Sequence, residues 1–233
     1  MSQISRKELK SDEFVSGMDA AYEYFLQHRD RIIVVAVVVA VVAAAGYGVF
    51  AWRSARNRSA AALLAQGINT LHTPLLSSAA PGTSTFASTA TRAAAAGKQF
   101  QAVIDQYGST ESGQLAKFYL GLAQVDENSP DAAKTLESAA ASSSAAVSAA
   151  AKHALANLDI AAGKLPEAHA LLLELTRQDS DLLPRSVALI ELADLDRTYN
   201  PKEAAQYYRQ LQADYPSTSI AQQAQQQLAS LKP

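Results

Sequence analysis

Four histidines, His28, His72, His153 and His169, are the first candidates for metal ligation or acid–base chemistry. No two of them have the close helical spacing that would bring a pair of imidazoles onto one zinc ion. His153 and His169 flank a turn at Gly163 and are expected as neighbours across a helical hairpin, as surface or groove imidazoles. Arg92 to Gln99, RAAAAGKQ, has the Gly97-Lys98 pair of a phosphate loop. It lacks both the leading glycine and the Ser/Thr that would hold magnesium. The serines sit in low-complexity runs without a GxSxG elbow, and the carboxylates are scattered over helix faces as solvated charge. With no cysteine, thiol catalysis, disulfides and thiolate zinc sites are excluded. Asn57-Arg58-Ser59 is formally a glycosylation sequon, without further support. The expectation is a non-enzyme with no catalytic, cofactor-binding or metal residues.

Chemistry being sparse, the elements carry the information. Ile32 to Trp52 reads IIVVAVVVAVVAAAGYGVFAW, 21 residues without a charge or an amide. As a helix it would be about 31 Å long, enough for a hydrocarbon core of about 30 Å, and it would satisfy its own backbone inside lipid. Tyr47 and Trp52 sit toward one end, where amphipathic rings favour the headgroups. Two competing readings are a buried core helix and a signal peptide cleaved near Ala43-Ala44-Ala45. Against the second, the preceding 31 residues carry five Lys/Arg and six Asp/Glu, unlike a short basic leader.

Residues 1–31 form a tail in which Phe14, Met18, Tyr22, Phe25 and Leu26 recur near helical spacing. That stripe suits a membrane surface or a partner helix, and equally suits a plain extension of the span. Residues 53–91 comprise a juxtamembrane helix to Leu71, stopped at His72-Thr73-Pro74, and a flexible Ser/Thr/Ala/Pro/Gly loop over 75–90. Residues 92–233 read as helices near 92–107, 112–126, 131–141, 146–162, 165–178, 183–198, 201–214 and 218–231. Gly108, Asn128-Ser129-Pro130, Gly163, Asp179-Ser180, Asn200-Pro201 and Tyr215-Pro216 punctuate them. No alternating strand pattern stands out. From Arg53 onward, 15 Lys/Arg balance 16 Asp/Glu, so no basic excess points to nucleic acid.

Asp105-Gln106-Tyr107-Gly108-Ser109-Thr110 is echoed by Ala213-Asp214-Tyr215-Pro216-Ser217-Thr218, an offset of 108 residues. This is about three periods of roughly 34 with small insertions. Ala154 to Leu175, ALANLDIAAGKLPEAHALLLEL, is the clearest unit. Leu155-Ala156, Gly163 and Ala168 there resemble the tetratricopeptide repeat (TPR), in which small residues let two helices cross closely. Leu120-Gly121 with Ala133 match a first unit, where Glu137 falls at a position usually aromatic. Ala204, Tyr208 and Pro216 match a third. The resemblance covers about Arg92 to Leu231 and implies an all-α fold, a single N-terminal transmembrane helix followed by a TPR-like helix-hairpin solenoid.

The order of parts, with the AxAxxxxGKxxEA-like turn over 161–168, resembles the bacterial ancillary Sec-translocon subunit family. That family shares its repeat domain with cell-division coordinator proteins. The resemblance implies an inner-membrane anchor, a cytoplasmic N-terminus and a periplasmic repeat domain. Its partners would be translocon components, periplasmic chaperones or secreted clients, with no nucleic acid and no small-molecule substrate. By TPR phasing, His153, Asn157, Phe118 and Leu122 line the peptide groove; for Phe118 and Leu122, packing on a neighbouring helix is the alternative. Ala36, Ala40, Ala44 and Gly48 form a ridge of small residues in the span that would suit helix association in lipid, although alanine is common there. Arg29 and Arg31 before the span against Arg53, Arg56 and Arg58 after it favour a cytoplasmic C-terminal domain, in conflict with the resemblance. The expected role is a membrane-anchored scaffold or adaptor. The alternative is a structural organiser of envelope assembly or division.

Overall fold

Apolar runs between proline and glycine punctuation fold here into helix after helix. The computed structural model of the protein describes residues 6–76 and 85–231, with side chains described from His28 onward except Ile32. The stripe Phe14–Leu26 therefore lies outside the described side chains, and the middle of the expected 75–90 loop lies outside the described residues. The chain divides into two compact units, Met1–Ala55 and Arg56–Pro233.

The first unit is helical from Arg6, within α1 (Arg6–Leu71). From His28 this helix is long and apolar enough to cross a membrane, with a mean hydropathy of 2.8 in its most apolar stretch. None of that stretch is buried by the protein itself; Val42 is 66% and Phe50 69% exposed. A core helix hides its apolar surface against other elements, and this stretch does not do so within the chain.

The second unit opens with the last turns of α1. Ala60, Leu64 and Gly67 are buried there, and the Phe100 ring of α2 (Thr89–Tyr107) lies where a Gly67 Cβ would stand. The α1 helix stops at Leu71, as the following His-Thr-Pro predicts. Phe86 donates its amide to Pro74 (3.2 Å) and accepts from Leu76 (2.9 Å), so the ends of the loop are pinned together. Ser88 then caps α2 through a reciprocal capping box with Thr91, satisfying otherwise orphaned amides and starting the helix three residues earlier than the pattern suggests.

Three hairpins follow: α3 (Glu111–Asp126) with α4 (Ala132–Ala140), α5 (Ala145–Ala161) with α6 (Leu165–Leu175), and α7 (Arg185–Tyr199) with α8 (Pro201–Asp214). A final helix, α9 (Ser219–Ser230), packs on α8. Pro166 and Pro201 sit in the first turns of α6 and α8, where a missing amide costs nothing and φ is already helical. Gly163 turns the second hairpin at φ +74°, a conformation open to glycine without steric cost.

The packing refines the repeat. Second helices bury the same triad of positions: Ala96, Phe100 and Val103; Ala132, Leu136 and Ala139; Ala168, Leu172 and Leu175; Ala204, Tyr208 and Leu211. Each position recurs 36 residues on, so the 108-residue offset is three full periods of 36 and not 34 with insertions. Ala133, expected at the crossing, is exposed, and Ala132 is buried in its place; Glu137 is likewise exposed, and Leu136 fills the large apolar position. The cause is the turn before α4. Ala132 follows the buried Gly121 by 11 positions where Ala168 follows Ala156 by 12, with Asn128 at φ +54° in between, and one residue is about 100° of rotation around a helix. On the first helices the small crossing residues are Gly121, Ala156 and Ala193, all buried. A Cβ at Gly121 would lie 2.6 Å from Leu136 Cδ2.

The echo of Tyr107–Thr110 in Tyr215–Thr218 has a structural reason. Thr110 caps α3 by accepting from the Gly113 amide (3.1 Å) and donates to the Tyr107 carbonyl (2.7 Å). Thr218 does the same for α9, accepting from Ala221 (3.3 Å) and donating to Tyr215 (2.6 Å). Thus α8–α9 repeats the α2–α3 corner, and α9 stands as a first helix.

Candidate functional site

First helices lie side by side in this array: α3 packs on α5, and Ala149 and Ala156 of α5 share a core with Ala188 and Leu192 of α7. Their outward faces form the candidate binding surface. His153 is half-buried on α5, and its Nε2 lies 2.7 Å from Glu191 Oε2 on α7. Asn157, one turn further on and exposed, places Nδ2 3.4 Å from the same ring nitrogen. Lys152 pairs with Glu174 at 2.6 Å beside them. This patch is polar and can both donate and accept hydrogen bonds, as suits an amide-rich peptide.

Phe118 and Leu122 occupy the matching positions on α3, one repeat earlier. Both are half-buried. Phe118 leans on Tyr119 with ring centroids 5.5 Å apart and a 54° tilt, while Tyr119 stacks on Phe100 at 5.5 Å and 19°. An aromatic step therefore connects the core to this face. In the third hairpin the position equivalent to Asn157 is Asp194, which accepts a hydrogen bond from the Tyr208 hydroxyl on α8. Burial raises the Tyr208 phenol above its ordinary value, as do that hydrogen bond and the charge of Asp194.

His153 and His169 do not meet across their hairpin; each is joined to an acid on α7. His169 Nε2 lies 3.2 Å from Asp196 Oδ2, and the Asp196 side chain is only 7% exposed. Burial, and secondarily the negative charge of Glu203, push the Asp196 carboxyl up, while His169 opposes the shift. Burial and the charges of Glu203 and Asp196 raise the Tyr207 phenol. His169, Asp196 and Glu203 border a cavity of about 460 Å³ with Leu165, Leu195 and Tyr199 in its wall.

Sequence reasoning singled out His153 and Asn157 but passed over Glu191, Asp196 and Glu203 as solvated charge. The available signal was repeat position: Glu191 and Asp196 fall on a helix whose buried residues, Leu192 and Ala193, are fixed by the period. The ridge Ala36, Ala40, Ala44 and Gly48 runs along α1, exposed throughout. A Cβ at Gly48 would meet nothing within 4 Å.

Among solved structures the chain is similar to two crystal structures of TPR-like repeats of a kinesin light chain from Podosopora anserina, one of them carrying a single substitution. Each is 20% identical with a TM-score of 0.48 over 60% of this chain, and over 76% and 77% of its own length respectively. No curated protein matches the chain. The model of the tetratricopeptide repeat-like domain matches residues 23–182, from the end of the tail through the second hairpin, and the chain belongs to that family.

Proposed function

We propose that the protein is a membrane-anchored TPR scaffold that presents its first-helix face to other proteins. The observation that carries this reading is one sequence joining two unlike surfaces: an apolar helix with none of its most apolar stretch buried, and a helix-hairpin array of the protein-binding kind. Lipid is the solvent in which the exposed Ile33–Trp52 surface costs nothing. The anchor confines the array to the membrane plane and so raises its effective concentration for partners that arrive there. His153, Glu191 and Asn157 supply hydrogen bonds to an extended peptide, and Phe118 and Leu122 supply an apolar end to the same face. A surface without a cluster of lysine or arginine favours neutral peptide over an acidic terminus.

In its finer form the reading places the anchor in a bacterial inner membrane beside the Sec translocon. The array then lies in the periplasm, and secreted clients or periplasmic chaperones are its partners. A photocrosslinker at Asn157 in the full-length chain, expressed in cells, tests this. Capture of translocon or chaperone components supports it, with loss of capture on His153→Ala. Exclusive capture of division proteins overturns the secretory reading, and no capture from any first-helix position overturns the scaffold itself.

A further inference from the structure

Three successive helices each send one metal-ligating side chain to the same point. His169 comes from α6, Asp196 from α7 and Glu203 from α8, and one ligand atom of each lies within 4.8 Å of the others. We propose that these residues form a divalent metal site, suited to Zn²⁺, that clasps the second hairpin to the third.

Tetrahedral zinc with bonds of about 2.0–2.2 Å holds its ligand atoms roughly 3.4 Å apart. His169 Nε2 and Asp196 Oδ2 already stand at 3.2 Å, and a carboxylate oxygen of Glu203, half-buried at the start of α8, lies within 4.8 Å of the other ligand atoms. The second observation is the state of Asp196. Its side chain is 7% exposed, and an ionised carboxylate offers about four acceptor positions. Among the described residues it takes one hydrogen bond, from His169. A carboxylate so deeply buried and so sparsely partnered is costly, and a second carboxylate aimed at the same point adds repulsion. A cation removes both penalties at once.

One imidazole and two carboxylates form a mixed nitrogen and oxygen set. Calcium and magnesium take oxygen ligands, the latter keeping several waters, whereas imidazole favours zinc and its neighbours in the transition series. Three protein ligands leave further coordination open. The cavity beside them, walled by Leu165, Leu195 and Tyr199, would admit water or a partner's side chain there. The set was invisible to spacing rules because its members come from different helices, with no two of them forming a short-range motif.

Full-length protein in detergent micelles, on a tag without histidine and stripped with chelator, is titrated with Zn²⁺ by calorimetry at pH 7. The expectation is one ion per chain and a Zn²⁺-dependent rise in Tm. Glu203→Gln and His169→Asn, both at partly exposed positions, should weaken binding by at least about tenfold, the least that disturbing even an outer-shell partner costs. His72→Asn, an exposed imidazole elsewhere, should bind as the parent does. Co²⁺ should give the visible absorption of a low-coordinate site in the parent and lose it in Glu203→Gln. Equal Zn²⁺ affinity in parent and Glu203→Gln, absence of any Zn²⁺-dependent heat, or preference for Ca²⁺ or Mg²⁺ would each overturn the proposal.

Discussion

Tyr208 is 1% exposed, yet its hydroxyl reaches Asp194 on the neighbouring helix. The ring fills the large apolar position of the third hairpin, and the oxygen ties that core to the first-helix face. Replacing it by phenylalanine keeps the ring and removes a hydrogen bond to a charged group, so Tyr208→Phe should cost about 1.5–3 kcal/mol in urea unfolding at neutral pH. The folded-state value of this phenol is raised above its ordinary 10.0, which means that the folded chain holds the proton more tightly than the unfolded chain. The resulting stability is intact below about pH 10 and is lost as pH rises through the folded value. Parent and Tyr208→Phe should therefore converge in urea midpoint under alkaline conditions; a constant gap across that range would refute the assignment. The same residue scale was only partly legible from sequence. A histidine or an asparagine on a helix face is easily noticed, but Glu191, the partner of His153, lies 38 positions away. Its role depends on which helices end up adjacent.

Helix boundaries were easier to read, because proline, glycine and asparagine terminate helices for local reasons. Registers were harder. Assigning Ala133 and Glu137 to the crossing positions of α4 presumes the 12-position spacing that separates Ala156 from Ala168, whereas Gly121 and Ala132, with Asn128 at φ +54° between them, stand 11 apart. The two registers predict opposite mutational outcomes. With Leu136 fully buried, Leu136→Ala should lose about 2–5 kcal/mol through transfer and cavity terms. Glu137→Ala, at an exposed position, should stay within about 0.5 kcal/mol. Denaturant titration of the pair reads the register directly, and a large loss at Glu137 would restore the 12-position register. The missing aromatic of the first hairpin was thus never missing; leucine holds its place.

For the whole molecule, the proposed membrane anchoring calls for a test of sidedness: the flanking arginines favour a cytoplasmic array, the proposed secretory role a periplasmic one. The chain has no cysteine, so one introduced thiol reports without background. Glu137→Cys, on the exposed face of α4, should react with a membrane-impermeant maleimide in cells whose outer barrier alone has been opened. Labelling only after full lysis would place the array in the cytoplasm. The even spacing of the buried triads has a different kind of consequence. Because equivalent positions return every 36 residues on the second helices, an in-frame duplication or excision of one period joins like to like when its ends fall within second helices. Each hairpin leans only on its immediate neighbours. Descendants of such a gene can lengthen or shorten the surface they offer without redesigning either the apolar helix or the core, and breadth of partner range becomes a heritable quantity set by copy number.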